Sequence, residues 1–477
     1  MRNAFWPRLT GTLAIAGLSG LLVACDDILK VNNPEQIPVA SLEDSALITA
    51  QVAGVLSEFQ DNYTRNNGAW LWSANFITDE VVTGLNWEDY ARVNQRIVNY
   101  TEGPVQSLWT GLSSTIRLGE DVSARIETLI SPTDARLAKT ALFTGYGYTL
   151  IGEGMCNAVF GTAENPGTTV ETPEQVFARA LTWFDKAISV GTTTGQTAIV
   201  SAAHVGKARA ALSLKDFAKV VSEASAVPSG FKYWIEFSDA QTAENNGLYA
   251  QVHGANHTVG VSPFFLQGSF GTQNLIATQT DPRIQHVKSW AKGHNALTPL
   301  YKPYQGLRFS DYSGQTQAPA SASCPACTGA VPASSGDTGP LLLWQRGTDV
   351  LLGDYLEAQH HLMEAYIRQG QNEAAVLAFV NARRAVGNQD PVSLTGDALF
   401  AELRAQRARD FYQGGLRLGD LRRWKRDGVG DFFPTGNHVN QEWGAYSNWT
   451  CYPLPLEEYE GNPGLTKPAD PFTPPGI

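Results

Sequence analysis

The sequence predicts a mostly α-helical protein in which pairs of helices form a scaffold for a long irregular region. Three observations support this fold class. Apolar residues recur at helical spacing through most of the chain after residue 41. A small–aromatic–small triplet occurs twice with the same internal spacing. Between about residues 232 and 340 this periodicity gives way to residues that are typical of turns and loops.

Residues 1–24 have the pattern of an export signal. Arg2 and Arg8 give a positive start, and an apolar stretch over residues 13–23 ends at a small-residue cleavage site before Cys25. This stretch is too short to cross a bilayer comfortably. A cysteine at this point resembles the lipobox of bacterial lipoproteins, which predicts attachment of acyl chains such as palmitate to Cys25. An ordinary secretory signal with an incidental cysteine is the alternative.

The stretch after Cys25 predicts a short tether over residues 25–40, followed by one domain over residues 41–477. Asp26 and Asp27 resemble the surface-export signals of lipoproteins displayed on outer membranes. No later apolar stretch in the sequence is long enough to span a membrane. We therefore expect a location at the cell surface, on the outer membrane, with lipid as the only anchor.

The first predicted helices cover residues 41–62, 105–129 and 133–150. Ser41 is the expected N-cap of the first helix, because Asp44 follows in its first turn and apolar residues then recur at helical spacing. The third helix contains two small residues that would let another helix approach closely, Gly145 and Gly147.

The repeated triplets predict tetratricopeptide-like helix pairs within about residues 133–227 and 351–386. Small and aromatic residues at steps of four and three form the packing face of the second helix of such a pair. The two triplets are Ala180, Phe184, Ala187 and Ala375, Phe379, Ala382. A third candidate pair over residues 198–227 matches less fully. Because the units do not repeat at a constant period, we expect a globular α-domain rather than an extended solenoid.

The composition favours a binding protein over several other classes. The formal charge is −11, from 46 acidic and 35 basic residues, so nucleic acid is an unfavourable partner. The sequence has no nucleophile elbow, phosphate loop or HExxH helix. His361 and Glu364 lie one helical turn apart, but two residues do not make a metal site, and we predict no cofactor. A pair of catalytic carboxylates cannot be picked from sequence.

Four further cysteines belong to the exported part of the chain. Cys324 and Cys327 lie in a loop of low complexity, where a local disulfide is expected. A zinc site would need two more ligands at matching spacing, and a thioredoxin-like site would need a βαβ unit. Whether Cys156 pairs with Cys451, and the redox state of Cys324 and Cys327, stay open from sequence.

The C-terminal block over residues 402–463 resembles the closing signature of the SusD/RagB family of outer-membrane nutrient-binding lipoproteins. The matching segments are Gln406-Arg407, Gly415-Leu416-Arg417, Asp420-Leu421-Arg422-Arg423-Trp424, Tyr452-Pro453-Leu454-Pro455, Glu458 and Asn462-Pro463. The block departs from the family pattern at Gln406, Asp410, Gly414 and Leu454. Arg417, Asp420 and Arg423 suit an intramolecular ion-pair network rather than a ligand site.

Other segments extend the resemblance over essentially the whole mature chain. Residues 75–80 resemble the early "D-E" segment of the family, and residues 145–148 resemble its aromatic helix. Asp281-Pro282-Arg283, with Tyr301-Lys302, resembles its D-x-R…KY stretch.

The resemblance implies a SusD-like fold of α-α pairs and a non-catalytic role. Such a protein caps a SusC-like TonB-dependent transporter and delivers oligosaccharide to it. Peptide binding within the same fold, a tetratricopeptide-type envelope scaffold and an anchored glycoside hydrolase are the alternatives. Flat aromatic side chains suit sugar rings. The candidate ligand residues are Trp70, Trp72, Trp87, Trp290, Tyr301 and Tyr304. For each of them, packing in the core is the other interpretation, and the identity of the ligand cannot be read from sequence.

Overall fold

The structure is a computed structural model in which α-helices predominate, as the sequence predicts. It describes residues 39–65, 68–83, 88–161, 167, 169–248, 259–266, 269–270, 273–274, 281, 283–284, 286–289, 300–303, 346–438, 443–470 and 472. Cys25, Cys324 and Cys327 lie outside these residues, so lipid attachment and a local disulfide stay predictions. Within the described residues, no helix is both long enough and apolar enough to cross a membrane.

The N-terminal helices lie close to their predicted positions. They are α1 (Ile48–Gln60), α2 (Trp70–Phe76), α3 (Glu88–Asn94), α4 (Gly103–Leu129) and α5 (Ala135–Gly154). The predicted start of the first helix at Ser41 is wrong. Two short 3-10 turns precede α1, and the side chain of Asp44 accepts the capping hydrogen bond from the Ala46 N–H.

Helices α6 (Pro173–Thr193), α7 (Thr197–Ser213) and α8 (Phe217–Ser225) continue the scaffold. Each helix from α4 to α8 packs on the next one. The first triplet forms a packing face as predicted, since Ala180, Phe184 and Ala187 are all buried. The predicted role of Gly145 is also confirmed, because a Cβ there would lie 2.8 Å from the Phe184 ring.

The C-terminal scaffold contains α10 (Tyr355–Arg368), α11 (Glu373–Val386), α12 (Gly396–Asp410), α13 (Arg417–Arg426) and the short α14 (Leu456–Gly461). The prediction that the second triplet forms a packing face is wrong for its two alanines. Ala375 and Ala382 are exposed, and α11 buries Val376 and Val380 instead. Phe379 is partly buried, with its ring edge-on to the ring of His360.

Short strand pairs account for the β-structure of the described residues. The strands are β1 (Val81–Thr83), β2 (Ala158–Val159), β3 (Val170–Glu171), β4 (Lys232–Ile235), β5 (Val259–Val261), β6 (Ser269–Phe270), β7 (Gln273–Asn274), β8 (His286–Ser289), β9 (Leu300–Pro303) and β10 (Val350–Asp354). They pair antiparallel as β1–β5, β2–β3, β4–β10, β6–β7 and β8–β9. One helical turn, α9 (Pro263–Leu266), follows β5.

A disulfide joins the end of α5 to the C-terminal segment. Cys156 and Cys451 are bonded, with their Cα atoms 5.0 Å apart and their positions separated by 295 in sequence. Tyr452 forms a parallel bridge with Met155 beside this bond. The pairing that the sequence left open is therefore made in the structure, and it fixes the C-terminal segment to the scaffold.

Candidate functional site

Two strand pairs form what we call the strand frame, which consists of β1, β5, β8 and β9. In one pair Val81 lies opposite Val261, and in the other Ser289 lies opposite Leu300. The frame is continuous because β9 also lies beside β5. β1, which precedes Trp87 in sequence, and β9, which contains Tyr301, therefore both lie beside β5.

Four of the six predicted ligand residues lie within the strands of this frame or a few positions after them in sequence. Trp87 follows β1 by four residues, and a chain of four residues spans at most about 14 Å. Trp290 follows β8 directly, and Tyr301 lies within β9, where the structure describes the backbone. Trp87, Trp290 and Tyr304 lie outside the described residues. Ligand contact by these four side chains thus stays a prediction.

The other two predicted ligand residues lie in the hydrophobic core. Trp70 is 0% exposed and donates a hydrogen bond from its indole Nε1 to the Gly415 carbonyl at 3.0 Å. Trp72 is 4% exposed, and its ring lies 5.3 Å from the Phe76 ring. Neither indole has an open face in this structure, and core packing accounts for both positions.

Buried polar contacts hold the start of β1 against α13 and the turn before it. Asp79 pairs with Arg417 through two hydrogen bonds of 2.8 and 2.6 Å. The Gln413 N–H donates to Glu80 Oε1 at 2.9 Å, and the Tyr412 hydroxyl donates to the Glu80 carbonyl at 3.2 Å. Charge-assisted pairs of this geometry are strong and directional. They position the strand from which the Trp87 segment leaves.

A second buried cluster fixes part of the irregular region to α11 and α12. Arg283 pairs with Asp281 through bonds of 2.9 and 2.7 Å, and it donates to Asp410 at 3.0 Å and to Gln406 at 2.9 Å. Arg383 donates twice to Asp410, each time at 2.7 Å. We call these five residues the Arg283 cluster. It ties the D-x-R segment before β8 to the helix that carries the C-terminal signature.

The electrostatics of these clusters follow from burial. Burial lowers the pKa of His360, whose Nε2 lies 2.7 Å from Asp410, to about 4. Burial alone would raise the pKa of Asp410, but the hydrogen bond from His360 and the charge of Arg283 hold it well below its usual range. Burial raises the pKa of Glu80 to about 8, and its Oε2 atom has no hydrogen-bond partner among the described residues.

His361 and Glu364 have separate partners in the structure. His361 Nε2 lies 3.4 Å from Glu357, whereas Glu364 pairs with Arg423 and accepts a hydrogen bond from the Trp424 indole at 3.0 Å. No three His, Cys, Asp or Glu side chains come close enough to hold a metal ion anywhere in the described ranges.

The ion-pair network predicted for the C-terminal signature is confirmed, with one change of partner. Asp420 accepts hydrogen bonds from Arg407 at 2.6 Å and from Arg423 at 2.7 Å. Arg417 pairs with Asp79 on the segment before β1. The signature therefore joins distant parts of the chain, and Arg407, Arg417 and Arg423 each have a carboxylate partner within the protein.

The sequence reasoning did not assign a positioning role to Asp79, Glu80, Asp281 or Arg283. The signal was present, because both segments resemble stretches of the SusD/RagB family and contain adjacent or nearby charged residues. Their partners lie on α12, on α13 and in the turn between these helices, so only the fold reveals what they position.

No family model and no curated protein sequence matches the chain. Solved structures do match it. A SusD-like carbohydrate-binding protein from Bacteroides fragilis is 13% identical with a TM-score of 0.60, and the match covers 89% of this chain and 99% of that one. A SusD-like carbohydrate-binding protein from Bacteroides vulgatus is 12% identical with a TM-score of 0.59, covering 87% and 97%. A laminarin-binding SusD-like protein is 13% identical with a TM-score of 0.52, covering 88% and 98%. The fold expected from the sequence resemblance is thereby confirmed: this chain has the SusD-like fold.

Proposed function

We propose that this protein is a lipid-anchored cell-surface protein of the SusD/RagB type that binds oligosaccharide at the strand frame. It hands the ligand to a SusC-like TonB-dependent transporter in the outer membrane and catalyses no reaction itself. The observation that supports the proposal is that β1 and β9 both lie beside β5. In sequence, Trp87 follows β1, Trp290 follows β8, Tyr301 belongs to β9 and Tyr304 follows it.

Two further facts support a sugar as the ligand. Several solved structures with this fold are described as carbohydrate-binding or laminarin-binding proteins. Tryptophan and tyrosine side chains stack on the apolar faces of sugar rings, and Asn86, Glu88 and Asp89 beside Trp87 supply hydrogen-bonding groups for hydroxyls.

Affinity electrophoresis and calorimetry on a panel of polysaccharides would test the binding site. We expect Trp87→Ala and Trp290→Ala each to weaken binding by about tenfold or more, as for aromatic hot spots. Trp183→Ala is the matched control, because Trp183 lies on the scaffold helix α6, away from the strand frame.

Three outcomes would contradict this function. Binding of oligopeptides and of no polysaccharide would identify a peptide-binding protein. Release of reducing ends from a bound polysaccharide would identify a glycoside hydrolase. Unchanged interactions in both tryptophan variants would favour an envelope scaffold.

The location and the partner need a separate experiment on native membranes. We expect palmitate labelling of the wild-type chain and of the Cys324→Ala control, and none of Cys25→Ala. We also expect a TonB-dependent barrel to co-purify in stoichiometric amount with the tagged lipoprotein. A chain that purifies alone would contradict the delivery role.

A further inference from the structure

A second cleft lies on different elements from the strand frame. It is bordered by the C-terminal end of α5, strand β3, the N-terminal end of α6 and helix α13, and its volume is about 650 Å³. Pockets for small molecules have volumes of about 300 to 1,000 Å³. The cleft can therefore hold a small organic molecule, independently of any ligand at the strand frame.

The walls of this cleft are largely apolar. Val170, Pro173 and Phe177 line one side, and the disulfide residue Cys156 lines another. Val170 is 44% exposed at the rim, an unusual position for a large aliphatic side chain in a region of paired charges. The disulfide with Cys451 holds the second side in place. These walls suit the apolar body of a ligand.

Arg422 is the unmatched charge of the cleft. Its Nη1 donates to the carbonyls of Gly152 at 3.1 Å and Glu153 at 2.6 Å, which fixes the direction of the guanidinium. Among the described residues, no carboxylate forms an ion pair with Arg422. An arginine held by carbonyl groups, with its remaining N–H groups uncommitted, is suited to grip a carboxylate in the two-bond manner that guanidinium groups favour.

The carboxylates that border the cleft are already paired with other cations. Glu153 bonds to Arg209, Glu171 bonds to Arg179 and Glu174 bonds to Arg426, at 2.5, 2.5 and 3.1 Å. The other cations that border the cleft also have carboxylate partners: Arg423 pairs with Asp420, Lys425 with Asp431 and Arg426 with Glu174. Among the described residues, Arg422 is therefore the lining charge left to neutralise, and the paired carboxylates disfavour a ligand with two negative charges. A singly charged anion fits this balance better than a phosphate dianion.

A second polar group beside the cleft also lacks a partner. Thr450 borders the cleft, is 2% exposed, and has no hydrogen-bond partner for its hydroxyl oxygen among the described residues. Buried hydroxyl groups normally have a partner, and a bound ligand or water would supply one.

We propose that this cleft binds a small aromatic or aliphatic monocarboxylate. The carboxylate lies against the guanidinium of Arg422, and the apolar body packs on Phe177 and Val170. The site is separate from the proposed oligosaccharide site, and its occupation does not depend on that function being correct.

Phenylacetate is a suitable probe for ligand-observed NMR with the full chain in detergent. We expect saturation transfer to phenylacetate and weaker transfer to neutral phenylacetamide and to glucuronate. We also expect that inorganic phosphate does not displace phenylacetate. Arg422→Met should weaken phenylacetate binding by at least about tenfold, the loss expected for a charge-assisted pair. Arg117→Met is the matched control, since Arg117 is exposed and outside this cleft.

Val170→Glu provides a second variant that does not disturb buried hydrogen bonds. It places a negative charge at the exposed rim, and we expect it to weaken phenylacetate binding by a similar factor while the thermal transition stays unchanged. The proposal is overturned if phenylacetamide or glucuronate binds as well as phenylacetate, if phosphate competes, if Arg422→Met and Val170→Glu bind like Arg117→Met, or if no probe binds.

Discussion

The layer of helices α5 to α7 and the Arg283 cluster are both buried, but different forces hold them together. In the helical layer the Phe184 ring fills a slot between Gly145 and Gly206 and meets the Tyr146 ring edge-on at 5.2 Å. In the Arg283 cluster the contacts are hydrogen-bonded ion pairs, and the Arg283 side chain is 0% exposed.

This difference determines how each region responds to a change. In an apolar slot, removing a contact lowers the free energy of unfolding in proportion to the volume removed. Adding volume to the slot causes steric strain and is tolerated less well. A buried ion cluster stabilises only while it is complete, because a charge left without its partner stays in a medium that cannot solvate it. The position of the segment before β8, and through it the strand frame, thus depends on the few residues of the Arg283 cluster. The stability of the helical scaffold depends on many residues.

The largest expected effect comes from removing Arg283, the more deeply buried of the two cations in the cluster. In Arg283→Met, both Asp281 and Asp410 lose the guanidinium that pairs with them. We expect the free energy of docking of this segment on α12 to become less favourable by about 3 to 5 kcal/mol. Hydrogen exchange in α12 and limited proteolysis between residues 262 and 346 would measure it. Arg117→Met is the exposed control.

If the strand frame and the scaffold are separate units of stability, Arg283→Met should expose the irregular region to protease while α5 to α7 keep their hydrogen-exchange protection. Equal loss of protection in both regions would show that they unfold together.

A smaller effect is expected from filling the slot of Phe184. In Gly206→Ala the new Cβ would lie 2.4 Å from the ring of Phe184, and we expect the free energy of unfolding to fall by about 2 to 3 kcal/mol. Gly54→Ala is the same change in α1 with nothing within 4 Å, and it should raise that free energy by about 0.5 to 1 kcal/mol. Denaturant unfolding of both variants checks the contrast.

The pH dependence of stability tests the protonation state of Glu80, which directly precedes β1 of the strand frame. Its carboxyl keeps its proton in the folded protein up to a pKa of about 8, whereas the unfolded chain releases it above 4.5, so its contribution to stability falls as pH rises between these values. Glu80→Gln should match the wild type at about pH 5 and exceed its unfolding free energy by a growing margin as the pH rises to about 9. Parallel pH curves for the two proteins would contradict the raised pKa.

His361 gives a pH dependence of the opposite sign. Burial lowers its pKa to about 4 from 6.5, so the unfolded chain takes up a proton first and stability falls as pH drops through this window. We expect His361→Gln to make the acid slope shallower by about 1 kcal/mol per pH unit. Urea unfolding at several pH values would measure the slope, and an unchanged slope would show that His361 does not titrate between these limits.

Helices with a long apolar period were predictable from sequence. The predicted span 105–129 differs from α4 (Gly103–Leu129) by two residues at one end, because the helical period and the packing face are encoded locally. The second triplet shows the limit of this reasoning. Its spacing matches the first, but α11 turns Val376 and Val380 inward, since the neighbouring helices and not the pattern decide which face is covered.

The candidate site was predictable only in part. Aromatic residues near residues 87 and 290–304 stood out by composition, whereas the approach of β1 and β9 to the same strand, β5, came only from the structure. Trp70 and Trp72 looked equivalent to them in sequence, but the structure places both in the core. An aromatic side chain has the same chemistry in either place, so burial cannot be read from its type.

The sequence by itself determined the helical class and the resemblance that predicts a SusD-like fold, and it predicts an export signal before Cys25. Each of these patterns is encoded in consecutive residues. Only the tertiary structure revealed the disulfide between Cys156 and Cys451 and the ion pair between Arg283 and Asp410. These contacts join positions 295 and 127 residues apart, and their distances depend on the path of the whole intervening chain.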